Sequence, residues 1–275
     1  MIKKVLLSLD VEEFDIPEEY GQDIGLDEKI GVSTEGLVRV LDLLDGLDIT
    51  ATCFTTVFYA ESQPAIIERL SSRHEIASHG FFHSNFRSGD LRRSRLELER
   101  ICGRKVCGFR QPRLEDVDCK AVADAGYSYN SSENPIWLPG RYMRFFKPRR
   151  PYFSEGLLNI PISASPVIRY PFFWLSFKNS PLWLFKNMSR WTLRTDGYLN
   201  IFFHPWEFSD LSGWQLPFYV KRPCGKEMLG KVHDYLAWLK ELAEFTTFSA
   251  FAGTFENNKK SVEPLKNEHG RFYGC

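Results

Sequence analysis

The sequence has no excess of charge of either sign, because 35 lysine and arginine residues balance 35 aspartate and glutamate residues. It also contains no long basic run of the kind that neutralises a phosphate backbone. Nucleic acid is therefore not an expected partner. No stretch reaches the roughly 18 consecutive apolar residues of a membrane-spanning helix, so the sequence predicts no transmembrane segment.

A secretion signal and cysteine pairs are also lacking. The run from Met1 to Asp10 contains two lysines and a short apolar segment before a charged cluster, which is too short for a signal-peptide core. The six cysteines include no C-x-x-C pair. Together these features predict a cytoplasmic protein whose cysteines are reduced thiols.

Apolar runs of strand type alternate with helical patterns along the chain. Strands are predicted over residues 5–9, 49–57, 106–109, 127–130, 157–161, 199–203 and 245–251, with another just before His79. Helices are predicted from residue 33 or 34 to 46 and over residues 65–72, 88–101, 116–125, 180–193 and 226–245. This alternation predicts an α/β fold with a parallel sheet and helical crossovers, and the repeat favours a barrel.

The connections are expected to be less regular than the strands. The acidic segment 15–29 lacks periodicity and is predicted to be a loop, and many prolines between residues 133 and 169 predict irregular connections there. No internal repeat or linker divides the chain. We expect one catalytic domain over residues 1–255 and a polar C-terminal tail over residues 256–275.

Two histidines stand out in the segment H-E-I-A-S-H-G-F-F-H-S-N, which begins at His74. His79 and His83 are four residues apart, so on a helical turn both imidazoles would lie on one face and could reach one metal ion. Imidazole suits zinc and its first-row neighbours. The alternative is that both are ordinary polar loop residues.

Other polar residues follow predicted strands. Asp10 and Glu12 end the first strand, Arg110 follows the strand over 106–109, and His204 follows the strand over 199–203. The carboxyl ends of parallel strands form the working face of such folds, so these side chains should converge with the two histidines.

A chemical role can be assigned to each of these side chains. Glu12 with His79 and His83 would make a three-ligand catalytic metal site with an open position. Asp10 would act as a general base, and Arg110 would hold it ionised.

His204 could protonate a leaving amine or be a satisfied core residue. Asp124, in D-A-G-Y, could orient His204 or cap its own helix.

Aromatic residues make up 15% of the chain and crowd between Tyr170 and Trp191. We expect this segment to form core or an oligomer interface. A second interpretation is an aromatic shelf for sugar rings or a contact with the membrane surface.

In order, the segments S-L-D-V-E-E, S-H-G-F-F-H-S-N, G-F-R-Q-P-R, D-A-G-Y and N-I-F-F-H-P resemble the five motifs of the polysaccharide deacetylase, or NodB-homology, family. The resemblance implies a distorted (β/α) barrel of about seven strands and a divalent metal, zinc being the first choice. It also implies hydrolysis of an N-acyl group, acetyl or formyl, on an amino sugar.

By the resemblance, Asp10 is the base, Glu12, His79 and His83 hold the metal, Arg110 braces the base, and His204 is the acid. The residue after the motif's proline, here Arg113, would donate its backbone N–H to the oxyanion. Val11 separates the two carboxylates that many members have adjacent, so which of them binds metal stays open.

The first and last motifs resemble the subgroup associated with exopolysaccharide and O-antigen synthesis. A cytoplasmic member would act on a nucleotide-linked or lipid-linked precursor. The alternatives are an allantoinase-like amidase of small molecules and a catalytically silent sugar-binding subunit of a glycan-synthesis complex.

Overall fold

A sheet of nine strands forms the centre of the computed structural model, which describes residues 2–84, 86–138 and 142–261. Two further strands pair as a separate hairpin. The strands are β1 (Lys4–Val11), β2 (Thr52–Thr55), β3 (Glu75–Ser78), β4 (Gly108–Phe109), β5 (Tyr129–Asn130), β6 (Trp137–Leu138), β7 (Tyr142–Met143), β8 (Tyr152–Ser154), β9 (Leu157–Asn159), β10 (Tyr198–Phe203) and β11 (Glu244–Phe245).

Helices of very different length connect these strands. They are α1 (Ile16–Glu19), α2 (Leu26–Gly46), α3 (Val57–Ser62), α4 (Pro64–Arg73), α5 (Leu91–Cys102), α6 (Cys119–Asp124), α7 (Trp174–Asn179), α8 (Leu182–Asp196), α9 (Phe218–Lys221), α10 (Gly225–Lys240) and α11 (Phe248–Ser261). Among the helices of the described residues, none combines the length and the apolar character that crossing a membrane requires.

Eight of the nine strands follow the order β10-β1-β2-β3-β4-β5-β9-β8, and the ninth, β11, pairs in parallel with the start of β1. Every pair from β10 to β9 is parallel, and only the edge pair β8 and β9 is antiparallel. The first strand is buried almost throughout, as expected for a parallel strand covered on both faces. The predicted distorted barrel of about seven parallel strands is therefore confirmed.

The barrel closes irregularly between β9 and β10. The backbone N–H of Ser163 donates to the carbonyl of Asn200 at 3.1 Å, and the Asn200 side chain donates to the carbonyl of Pro161 at 2.9 Å. These bonds replace a regular ladder where the proline-rich segment predicts irregular connections. Prolines lack the N–H that a ladder requires, which explains the distortion.

Two sequence predictions about local structure are wrong. Segment 15–29, predicted to be a loop, contains α1 and the start of α2, because Ile30 packs into the core and Asp27 and Glu28 favour the first turn of a helix. The strand predicted over 245–251 is also wrong, because β11 ends at Phe245 and the chain from Phe248 forms α11. In a helix Phe248 and Phe251, three residues apart, lie on one face, and both are buried.

The polar tail predicted over 256–275 is described only in part. Helix α11 runs to Ser261, and residues 262–275 lie outside the described residues.

The aromatic segment is mainly core. Phe172, Phe177 and Phe185 are fully buried, and the first two each meet Phe185 edge to face. Trp174 is buried beside the site described below, whereas Trp183 is 66% exposed. The core interpretation thus holds for most of the segment.

Candidate functional site

The polar residues that follow the strands meet at one end of the barrel. Glu12 follows β1, His79 follows β3, Arg110 follows β4 and His204 follows β10, while Asp10 is the last residue but one of β1. All five are at most 9% exposed. The parallel register brings them together, because neighbouring parallel strands end at the same edge.

Glu12 makes the closest contacts to both histidines of the pair. Its Oε2 atom lies 3.0 Å from Nε2 of His79 and 3.2 Å from Nε2 of His83. These three residues are the cluster of the described chain whose donor atoms could share one metal ion.

The two histidines do not lie on a helical turn, so this part of the sequence interpretation is wrong. The chain leaves β3 and bends at Gly80, whose φ of +84° is a backbone conformation that glycine adopts without strain. A bend brings His79 and His83 to one carboxylate as effectively as a helical turn would.

Each imidazole is held from behind by an acceptor. Nδ1 of His79 lies 2.9 Å from the carbonyl oxygen of Arg110, and Nδ1 of His83 lies 2.7 Å from Oδ2 of Asp15. A proton on each Nδ1 leaves Nε2 with its lone pair toward Glu12, which is the tautomer that a metal-binding histidine needs.

These donors fit a divalent metal. Two lone pairs and a carboxylate oxygen repel one another at 3 Å unless a cation lies among them, and two donors of one tetrahedral zinc ion lie about 3.4 Å apart. Imidazole and carboxylate are both ligands of zinc. The open side of the cluster faces a cleft that Trp174, Phe202 and Leu114 help to line.

The shifted pKa values of Glu12 and His83 also indicate that the cluster favours a positive charge. Burial by itself would raise the pKa of Glu12, but the charges of His83, His204 and His79 outweigh it and hold the pKa below its usual value. Burial would lower the pKa of His83, but the carboxylates of Glu12 and Asp15 outweigh it and raise the pKa to about 9.

Asp10 is bound to Arg110 rather than to the histidines. Nη1 of Arg110 donates to Oδ1 of Asp10 at 2.5 Å and to Oγ of Ser8 at 2.9 Å. The guanidinium lies over the ring of Phe54 at 4.0 Å and is fully buried. Arg110 and Asp10 therefore form a buried ion pair.

His204 approaches Oε1 of Glu12, whereas His79 and His83 contact Oε2. Its Nε2 is 3.8 Å from Oε1 of Glu12, and its Nδ1 is 3.2 Å from Oε1 of Glu207. Burial would lower the pKa of His204, but the carboxylates of Glu12 and Glu207 outweigh it and raise the pKa above its usual value.

Arg113 reaches the lip of the cleft. Its guanidinium lies 3.4 Å from both Asp15 and Glu19, so its charge is balanced there. Its backbone adopts a left-handed conformation, with φ of 58°.

Asp124 does not join the site, and this is a correction. It ends α6 on the surface, where Oδ2 accepts a hydrogen bond from Lys120 at 2.6 Å and the side chain is 65% exposed. It neither orients His204 nor caps the start of its helix, whose N-cap is Asp118.

Two residues of the site were missed by the sequence analysis. Asp15 lies in the segment predicted to be a loop, and Glu207, two residues beyond the motif N-I-F-F-H-P, has no predicted role. The signal available for both was chemical, because a functional histidine usually has an acceptor for its second nitrogen.

Known proteins resemble this chain in part of its sequence and in its fold. The family model of polysaccharide deacetylases ("Polysaccharide deacetylase") matches residues 23–129. None of the curated proteins matches the chain.

Solved structures share the fold at low sequence identity. A protein of Mycobacterium smegmatis described as a polysaccharide deacetylase is 18% identical with a TM-score of 0.64, and the match covers 93% of this chain and 91% of that one. A second such protein, from Pseudomonas aeruginosa PAO1, is 13% identical with a TM-score of 0.62, covering 92% and 91%. The allantoinase PuuE is 15% identical with a TM-score of 0.61, covering 92% and 90%.

These likenesses show a common fold. The polysaccharide deacetylase model covers residues 23–129, less than half of the chain, so it shows a similarity of that part to the family.

Proposed function

We propose that the protein is a metal-dependent hydrolase that removes an N-acyl group from an amino sugar of a surface-polysaccharide precursor. The observation that carries the proposal is the contact of Glu12 Oε2 with Nε2 of His79 and of His83, at 3.0 and 3.2 Å. The oxygen atoms that lie at Nδ1 of His79 and of His83 support the same conclusion, because they leave each Nε2 for the metal.

Glu12, His79 and His83 would hold the metal, with zinc as the first choice. When bound, a divalent metal polarises the amide carbonyl and lowers the pKa of water, so that hydrolysis proceeds at neutral pH. The preference for Glu12 over Asp10 as the metal carboxylate rests on the engagement of Asp10 by Arg110.

The chain's own residues would carry the proton transfers. Asp10, which the Arg110 guanidinium holds in place by a hydrogen bond, would take a proton from the attacking water. His204 would give a proton to the departing amine from Nε2, the nitrogen on the side of Glu12. The backbone N–H of Arg113 would stabilise the oxyanion.

The buried ring of Trp174 lines the cleft beside His204, which supports a sugar as the substrate. The nature of the acyl group, the nucleotide or lipid linkage and a cytoplasmic site of action remain predictions. Formation of a homo-oligomer is likewise a prediction.

The first test is amine release by the zinc-loaded full chain from a panel of N-acetylated and N-formylated sugar nucleotides and lipid-linked sugars. Wild type should release amine from one class, and His79→Ala should lose both the release and bound zinc. The matched control is His233→Ala, an exposed histidine paired with Asp234, which should retain both.

Two other functions compete with this proposal. An allantoinase-like amidase shares the fold, so allantoin belongs in the same panel, and its turnover without sugar turnover would replace the proposal. A silent sugar-binding subunit would bind sugars without amine release. Under the proposal, Asp10→Asn should abolish release while sugar binding remains.

A further inference from the structure

Glu207 holds both the backbone and the ring of His204 through one carboxylate oxygen. Oε1 of Glu207 accepts a hydrogen bond from the backbone N–H of His204 at 2.7 Å and lies 3.2 Å from its Nδ1. Glu207 is fully buried, in the 3₁₀ helix Pro205–Phe208 that follows β10. A donor at Nδ1 leaves only Nε2 for chemistry in the cleft.

Aromatic rings restrict the imidazole further. Trp206 stacks on the ring of His204 with a centroid distance of 5.0 Å, and Trp174 meets it edge-on at 5.4 Å. Phe202 packs against it from a third direction at 5.5 Å. With Glu207 behind it, the ring has one orientation, in which Nε2 lies toward Glu12.

The buried cation Lys178 lies behind Glu207. Its Nζ is 3.7 Å from Oε2 of Glu207 and donates to the carbonyl of Val220 at 2.9 Å. It also lies 5.4 Å and 5.6 Å from the ring centroids of Trp206 and Trp174.

A buried ion pair is often no more stable than two apolar side chains of the same shape, so stability alone does not explain this one. Its consequence is geometric: a buried ammonium lies behind the carboxylate whose other oxygen faces Nδ1 of His204.

We propose that Glu207, with Lys178 as its buried counter-charge, is the positioning residue that fixes His204 with Nε2 toward the reacting amide. The role of His204 as acid rests on the proposed function, whereas the orientation of its ring does not. In this chain Glu207 thus has the role of orienting His204, which the sequence suggested for Asp124.

The test combines a spectroscopic and a kinetic measurement on the zinc-loaded full chain. In wild type labelled with ¹⁵N-histidine, His204 should show a proton on Nδ1 with the low-field, slowly exchanging signal of a hydrogen bond to carboxylate. In Glu207→Gln that signal should move upfield and exchange faster. In the control Asp124→Asn, an exposed position, it should stay unchanged.

Activity supplies the second measurement. Glu207→Gln should lower kcat roughly 10- to 100-fold, as loss of an orienting partner does, with KM and zinc content unchanged. Lys178→Met, which keeps Glu207, should shift the His204 signal in the same direction. The double variant Lys178→Met/Glu207→Gln should be more stable than either single variant, because it leaves no unpaired buried charge.

A folded Glu207→Gln protein with an unchanged His204 signal would overturn the proposal, and so would an unchanged signal in Lys178→Met. Absence of amine release from wild type, with the Nδ1 signal shifting as expected, would overturn the proposed function and leave the positioning of His204 established.

Discussion

Asp15 accepts a hydrogen bond from Nδ1 of His83 at 2.7 Å, although it comes from a segment without a recognisable sequence pattern. The same Oδ2 atom also accepts from Oγ of Ser84 and lies 3.4 Å from Arg113. Asp15 therefore links the histidine pair to the lip of the cleft and fixes the tautomer of His83.

We expect Asp15→Asn to weaken zinc binding about 10- to 100-fold, because an amide is a weaker acceptor for Nδ1 and leaves the ring less well oriented. Competition with a chelator of known zinc affinity measures the effect. Asp23→Asn, on the exposed part of the same segment, is the control and should bind zinc like wild type. Equal affinities for the two variants would contradict the role of Asp15.

The raised pKa of His83 predicts opposite effects of pH on the metal-free and zinc-loaded protein. With a folded-state pKa of about 9 against an ordinary value of 6.5, His83 stabilises the metal-free protein fully below pH 6.5. This stabilisation is lost as the pH rises through 9. Zinc affinity should rise over the same range, because fewer protons compete for the ligand.

Thermal unfolding from pH 6 to 9.5, with chelator and with zinc, measures both trends. The melting temperature with chelator should fall with pH, and the difference between the two curves should widen. His83→Gln should flatten the fall. A metal-free curve that rises over this range would show that His83 does not carry a raised pKa.

Removal of the Arg110 charge should destabilise the protein more than removal of any surface cation. In Arg110→Met, the buried carboxylate of Asp10 loses its partner, and loss of one member of a buried pair typically costs about 3–5 kcal/mol of unfolding free energy. Urea unfolding measures this loss.

Lys120→Met breaks an exposed pair with Asp124 and should leave the midpoint nearly unchanged. The double variant Asp10→Asn/Arg110→Met should recover part of the lost stability. Equal losses in the single and double variants would mean that the pair contributes through packing rather than charge.

Two glycines of α2 should respond in opposite ways to alanine. A Cβ at Gly36 would lie 1.9 Å from the backbone oxygen of Pro205, the residue after His204, so Gly36→Ala must displace this segment. We expect a loss of about 1–3 kcal/mol in unfolding free energy, accompanied by loss of amine release.

At Gly31 a Cβ would meet nothing within 4 Å, so Gly31→Ala should gain up to about 1 kcal/mol from helix propensity. Chemical denaturation of both variants compares them directly. A stabilised Gly36→Ala protein with full activity would show that the close packing of α2 on the 3₁₀ helix is not needed to hold His204.

The alternation of strands and helices was predictable because it depends on local periodicity. The run from Val5 to Leu9 and the helix after Ser88 follow from neighbouring residues in the chain. The end of the chain was not predicted correctly. The residues from Phe245 to Phe251 suit a strand by composition, yet Phe248 packs on Phe54 and Tyr129 as part of a helix.

The positions of the polar residues after the strands can be read from the sequence. The parallel order of the sheet then brings Asp10, Glu12, His79 and His204 to one cleft, with Arg110 buried against Asp10. The partner of each side chain, in contrast, depends on the tertiary structure. Asp15 is 68 residues from His83 in the chain. From the sequence alone, Asp124 and Glu207 are equally suitable for orienting His204. Only Glu207 is buried beside the histidine, and a carboxylate can orient a histidine only from within hydrogen-bond distance, which depends on how distant segments pack.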